Sequence, residues 1–235
     1  MLDAGYDRTG GETLENTQAI DIDLTQIMPE YRSVNPLVRW LFNKRLDIAM
    51  GFLSGCKPKC LLDVGCGNGE FIKRVIREYS RQCSVKAAVH GIDTNNNVRS
   101  LSKYTAFFGG SVRTGSILHS SYPPEMFDFV TALDTLEHIE ELSAAVNKIW
   151  HVLTPGGYLV TSEPTESRLY RFLRFLLKGT FSEKKGPCAG EHYYTAEQVD
   201  LEIQSLGFQR IKNRKIPFVW PFDLFHVNLY KKVSN

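Results

Sequence analysis

Long apolar runs are missing from this 235-residue chain: none approaches the ~18 residues that a membrane span needs, so no spanning helix is expected. Net charge of either sign is missing too. Lys and Arg number 28 against 26 Asp and Glu, a formal +2. That gives no global basic field and argues against a dedicated nucleic-acid binder, so no DNA partner is expected. The five cysteines are odd in number and lack framework spacing, which excludes a disulfide scaffold and suits a reducing, cytoplasmic setting. Cys56 and Cys60 stand four apart, but no second Cys/His pair completes a zinc site beside them. The N-terminal stretch up to Glu30 sets seven acids against Arg8 alone and does not read as a signal peptide. Internal repeats are absent.

What is present is alternation. Residues 1–18 are polar and read as a disordered tail. Residues 19–55 form an N-terminal segment in which Leu37, Val38, Leu41, Phe42, Leu46, Ile48, Ala49 and Phe52 recur at helical spacing. The remainder, 56–235, reads as one domain. Strands are expected at 60–64, 86–92, 111–115, 127–133 and 157–162, with helices near 70–80, 95–104 and 141–153. Such alternation implies a parallel sheet covered by helices on both faces, a three-layer α/β sandwich. One more helix follows Thr195, its N-cap, with Gln198 completing a capping box. Strands at 208–216 and 226–233, joined by a Pro-containing stretch, suit an antiparallel hairpin at the sheet edge.

Chemistry enters at Leu61-Leu62-Asp63-Val64-Gly65-Cys66-Gly67-Asn68-Gly69. An apolar strand breaks into three glycines at alternate positions, and a helix follows. Glycine admits φ > 0 and close approach of a ligand, and the helix start offers unpaired N–H groups. NAD binding would want G-x-G-x-x-G with an acid about 20 residues on, whereas here the spacing is G-x-G-x-G with the acid inside the strand. The pattern resembles motif I of the class I S-adenosylmethionine (SAM) methyltransferases. Phe127-Asp128-Phe129-Val130 and Leu153-Thr154-Pro155-Gly156-Gly157 resemble that family's later motifs, in the right order, so the resemblance spans roughly 60–232.

The resemblance implies a Rossmann-like, seven-stranded, mostly parallel sheet with SAM at the carboxyl ends of its strands. It assigns Asp63, Gly65, Cys66 and Gly67 to the methionine and ribose, and Asp93 to the ribose hydroxyls with Thr94 beside it. Ser116 and Ile117 fall at the adenine, and Leu133 closes the site. Many relatives have Asp where this chain has Ser116, a weaker partner for adenine.

Methyl transfer requires an aligned acceptor and removal of its proton. After the fourth strand, Asp134, Glu137 and His138 would share a face if this were a helical turn. His192 stands just before the last helix. Two readings remain open. In one, Asp134, Glu137, His138 and His192 bind a divalent cation that acidifies an acceptor hydroxyl. The ubiquinone-biosynthesis O-methyltransferases have a similar acid-x-x-Glu-His run, and the small-RNA 2′-O-methyltransferases use a comparable two-acid, two-histidine set. In the other, His138 and Glu137 work without a metal, His138 as base or pocket wall.

Between Ser167 and Lys178, Arg168, Arg171, Arg174 and Lys178 fall on one side of a helical wheel, with leucine and aromatic residues opposite. Within an insertion at 165–190, this segment reads as a lid helix, as a helix at an anionic membrane surface, or as an RNA-binding surface. The family pattern points to a SAM-dependent enzyme that O-methylates a small hydrophobic or lipid-tailed hydroxyl compound, with peripheral membrane contact through 167–178. A metal-dependent RNA 2′-O-methyltransferase and a non-catalytic SAM-binding subunit are the competing readings.

Overall fold

A computed structural model of the chain describes residues 34–81, 87–165, 192–217 and 223–233. The expected tail at 1–18, the basic segment 167–178 and most of the stretch between the last two strands lie outside these residues.

Helix α1 (Pro36–Cys56) starts where Asn35 Oδ1 accepts the N–H of Leu37 at 3.0 Å, with Pro36 at the first helical position. It stops at Lys57, whose left-handed backbone directs its N–H to the Leu53 carbonyl. Its buried stripe is Leu41, Arg45, Leu46, Ala49, Phe52 and Leu53. Strand β1 (Cys60–Val64) runs through the glycine turn into α2 (Glu70–Arg81), and β2 (Ala88–Asp93) follows. The next helix differs from the expected 95–104. A 3-10 segment at Asn96–Leu101 precedes a short α3 (Ser102–Phe107), because three consecutive asparagines before it compete locally for backbone groups and disfavour α-helix.

Strands β3 (Val112–Thr114) and β4 (Phe127–Leu133), helix α4 (Leu142–Val152) and β5 (Leu153–Pro164) complete the parallel part. β5 begins earlier than expected. Its register against β4 jumps from Phe127–Leu153 to Phe129–Tyr158, so the Pro-Gly-Gly turn bulges within the strand, with Gly156 at φ 74°. Helix α5 (Ala196–Ser205) carries the expected capping box, with Gln198 N–H donating to Thr195 Oγ1 at 3.3 Å. β6 (Phe208–Ile216) and β7 (Phe225–Lys232) pair antiparallel.

The sheet has seven strands in the order β3-β2-β1-β4-β5-β7-β6, parallel except that β7 runs antiparallel to both neighbours. Two apolar layers sandwich it. Leu61, Phe129 and Val160 join α1 and α2 in one. Leu62, Val130 and Leu159, one residue along each strand, join α4 and α5 in the other, as the two-residue strand period demands. The order in which successive strands are laid down reverses between the parallel neighbours β1 and β4, and the crevice above that point is where such folds place ligands.

Some glycines here are steric requirements. A Cβ on Gly110 would lie 1.8 Å from the Val89 carbonyl oxygen, whereas one on Gly51, in α1, would meet nothing within 4 Å. Urea denaturation should therefore show Gly110→Ala losing about 1–3 kcal/mol of stability through overpacking. Gly51→Ala should gain about 0.5–1 kcal/mol as a helix-interior replacement.

Candidate functional site

A cleft of about 340 Å³ opens at the carboxyl ends of β1 to β4. Every residue that the family resemblance assigned to SAM lines it: Asp63, Gly65, Cys66, Gly67, Asp93, Thr94, Ser116, Ile117 and Leu133. The local sequence explains the shape. Gly65, Gly67 and Gly69 all have positive φ (70°, 49° and 76°), and the Gly65 and Cys66 N–H groups both donate to the Ile92 carbonyl at 2.8 and 3.2 Å. The turn is thus fastened to the end of β2. A side chain at Gly65 would put its Cβ 2.2 Å from Thr135 Oγ1. That hydroxyl is already placed to bond the Val64 and Leu133 carbonyls, which end β1 and β4.

Asp93 accepts the Gly67 N–H and the Asn95 N–H, each at 2.7 Å, one on each carboxylate oxygen. Its remaining lone pairs are available to a diol in the cleft. Ser116 has a local use as well: its hydroxyl oxygen accepts the Leu118 N–H at 3.3 Å, capping the 3-10 turn at Ile117–His119. Asp63 is buried beneath the cleft and accepts the Thr131 hydroxyl at 2.6 Å. Burial lifts its carboxyl to about 7, with the Asp93 charge adding to the rise and the Thr131 bond opposing it.

The acceptor side departs from expectation in one respect. Asp134 does not share a helical face with Glu137 and His138. It sits in the left-handed region (φ 52°), its N–H donates to the Ser162 carbonyl at 2.8 Å, and a 3-10 turn begins only at Leu136. The Asp134 carboxylate pairs with the Arg45 guanidinium and accepts the Ser162 hydroxyl at 3.0 Å. It is therefore engaged elsewhere and is absent from the group of metal-competent side chains.

The other three expected ligands do come together. Donor atoms of Glu137, His138 and His192 all lie within 4.8 Å of one another. The two imidazoles meet edge to face at 4.6 Å between centroids, and His138 reaches the cleft wall. The Tyr193 N–H donates to the Glu137 carbonyl at 2.9 Å, which brings His192 to the 3-10 turn. The Glu137 side chain is 1% exposed, and neither carboxylate oxygen has a hydrogen-bond partner. Burial, joined by the charges of Asp134 and Glu163, holds its carboxyl well above the usual range. A buried carboxyl group without a hydrogen-bond partner, beside two imidazoles, is a donor set that suits a divalent cation.

Sequence reasoning missed Arg45 and Glu163. Arg45 is 2% exposed and stacked between the rings of Phe42 and Phe225, at 4.3 and 4.4 Å from their centroids. The signal was a charge in the apolar stripe of α1, one turn from Leu41 and from Ala49. Glu163, also 1% exposed, was signalled by an acid in the apolar run of β5.

A methyltransferase-domain family model matches residues 62–161. The ubiquinone biosynthesis O-methyltransferase of Pseudoalteromonas translucida (strain TAC 125) is 24% identical over 196 residues, covering 78% of this chain and 77% of that protein. The enzyme of the same name from Serratia proteamaculans (strain 568) is 26% identical over 137 residues, 55% of this chain, and there the match spans 49% of the relative. Among solved structures, the N-methyltransferase NodS from Bradyrhizobium japonicum WM9 with S-adenosylhomocysteine aligns with TM-score 0.63 at 16% identity, covering 90% of this chain and 95% of that one. This last likeness is one of fold.

The raised Asp63 carboxyl has a consequence for stability. The folded state holds its proton up to about pH 7, whereas the unfolded chain releases it near 4. Between those values the folded state binds more protons, so stability falls as pH rises and levels off above about 7. Denaturation of wild type and Asp63→Asn from pH 4 to 8 should show this decline in wild type relative to the variant.

Proposed function

We propose, for a chain that belongs to the class I S-adenosylmethionine-dependent methyltransferases, that it methylates a hydroxyl group on a hydrophobic, lipid-tailed small molecule with a divalent cation at the acceptor side. The observation that carries the reading is the Glu137–His138–His192 cluster, whose buried carboxyl has no hydrogen-bond partner, set at the edge of the SAM cleft.

The chain's residues divide the work. The glycine turn brings backbone N–H groups to the methionine end of SAM, and Asp93 receives the ribose. Asp63 lies beneath the turn on the side of the amino group, whose positive charge favours the ionised carboxylate. Thr135 and the Arg45–Asp134 pair fix the end of β4, so the 3-10 turn bearing Glu137 and His138 keeps one position relative to the SAM methyl. Glu137, His138 and His192 would hold the cation. When bound, a divalent ion there lowers the pKa of a coordinated hydroxyl and orients it. The acceptor oxygen then needs only alignment with the sulfonium methyl for in-line displacement.

The nature of the acceptor draws its support from the relatives, which are named for ubiquinone biosynthesis. The basic, apolar segment 167–178 suits peripheral contact with an anionic membrane or a lipid-tailed substrate, and no helix among the described residues is long and apolar enough to cross a membrane.

Treatment with EDTA should abolish turnover, and Mg²⁺ or Mn²⁺ should restore it. His192→Ala should lower turnover by about 10–100-fold or more while SAM affinity stays within a few-fold. Activity indifferent to EDTA would sink the cation and leave His138 as a metal-free base, its Nε2 lying 4.0 Å from Glu137 Oε1.

A further inference from the structure

We propose that Ser116 reads the purine of the cofactor through a hydroxyl that can either donate or accept, so that the cleft takes S-nucleosyl ligands with little discrimination between a 6-amino and a 6-oxo purine. The proposal rests on the cofactor half of the reading above and extends it to the part of the ligand that stays outside the chemistry.

The two ends of the cleft fix where the purine goes. Asp93, at the end of β2, receives the ribose in that reading, and His138, after β4, marks the acceptor side. In the strand order β3-β2-β1-β4 the base must then extend the other way, over β3. That end is lined by Thr94, Gly115, Ser116 and Ile117. The Gly115 N–H donates to the Asp93 carbonyl at 2.8 Å and fastens it to β2.

Charge is missing there. The acids that line the cleft are Asp63, Glu70, Asp93 and Asp134. Asp63 and Glu70 flank the glycine turn, Asp134 pairs with Arg45, and Asp93 has a backbone N–H on each oxygen. Among the described residues, none of the lining acids stands at the β3 end. The side chains beyond Asp93 offer hydroxyls, and that of Ser116 is held in place: its oxygen accepts the Leu118 N–H at 3.3 Å. One lone pair and the proton remain, and that proton has no acceptor among the described residues.

Replacing a 6-amino by a 6-oxo group reverses the hydrogen-bonding sense of the purine edge. A hydroxyl follows the change, accepting from the amino group or donating to the oxo group. A carboxylate in its place would only accept, and would repel the oxo group.

Calorimetric titration of the full chain with S-adenosylhomocysteine and with S-inosylhomocysteine, its 6-oxo counterpart, tests this. Wild type should bind the two within about ten-fold of each other, the range of one neutral hydrogen bond. Ser116→Asp keeps an acceptor for the Leu118 N–H and adds a fixed negative charge, so its preference for S-adenosylhomocysteine should widen by about ten-fold or more. Ser116→Asn keeps the cap and can still donate or accept, so it should tolerate both purines as wild type does. A wild type that rejects S-inosylhomocysteine beyond that range would overturn the proposal. So would a Ser116→Asp preference equal to that of wild type, or loss of tolerance in Ser116→Asn. Wild type that binds neither ligand would remove the cofactor reading itself.

Discussion

Two carboxyl groups sealed from water and a single buried guanidinium set the terms of the acceptor side. Arg45 is taken by Asp134 and held between Phe42 and Phe225. That one contact joins α1, the loop after β4 and strand β7, pieces of chain far apart in sequence. Breaking such a pair would leave a charge stranded in a low-dielectric place, so the roof of the cleft and the last strand are bound together. The same contact decides what the neighbouring acids can do. Asp134 is paired and fixed, whereas among the described residues no lysine or arginine lies at salt-bridge distance from Glu137 or Glu163.

The sheet explains why these groups meet where they do. The order β3-β2-β1-β4-β5-β7-β6 puts the reversal point between β1 and β4, and both halves of the site hang from it. The β1 and β2 ends carry the glycine turn and Asp93. The β4 and β5 ends carry Asp134, Glu137 and Glu163. Antiparallel β7 closes the second half by bringing Phe225 over Arg45 and Asn228 beside Glu163. A scaffold of this kind serves many acceptors, and the N-methyltransferase that shares it shows why the acceptor must be argued from the second half.

The SAM half was legible in the sequence because it is written in consecutive residues. The spacing Asp63-x-Gly65-x-Gly67-x-Gly69 and the strand-terminal Asp93 each encode a local backbone requirement, and the structure puts all of them around one cleft. The α5 capping box was legible for the same reason. The acceptor half was legible only in part. Residue types pointed to Glu137, His138 and His192, but helical periodicity misplaced Asp134, because a left-handed residue and a 3-10 turn break the assumed face. Arg45 and Glu163 were out of reach of local patterns. Each is explained by a partner at long range, Asp134 for one and Asn228 for the other.

The account stands on a methyl group arriving at oxygen on an apolar molecule. Purified protein would be incubated with SAM carrying ¹³C in its methyl group and a lysate of the source cells. The mixture would then be extracted into organic solvent and the labelled carbon read by nuclear magnetic resonance. The account predicts a new methoxy signal in the organic phase. A methylamine signal, or label confined to the RNA or protein fraction, would contradict it.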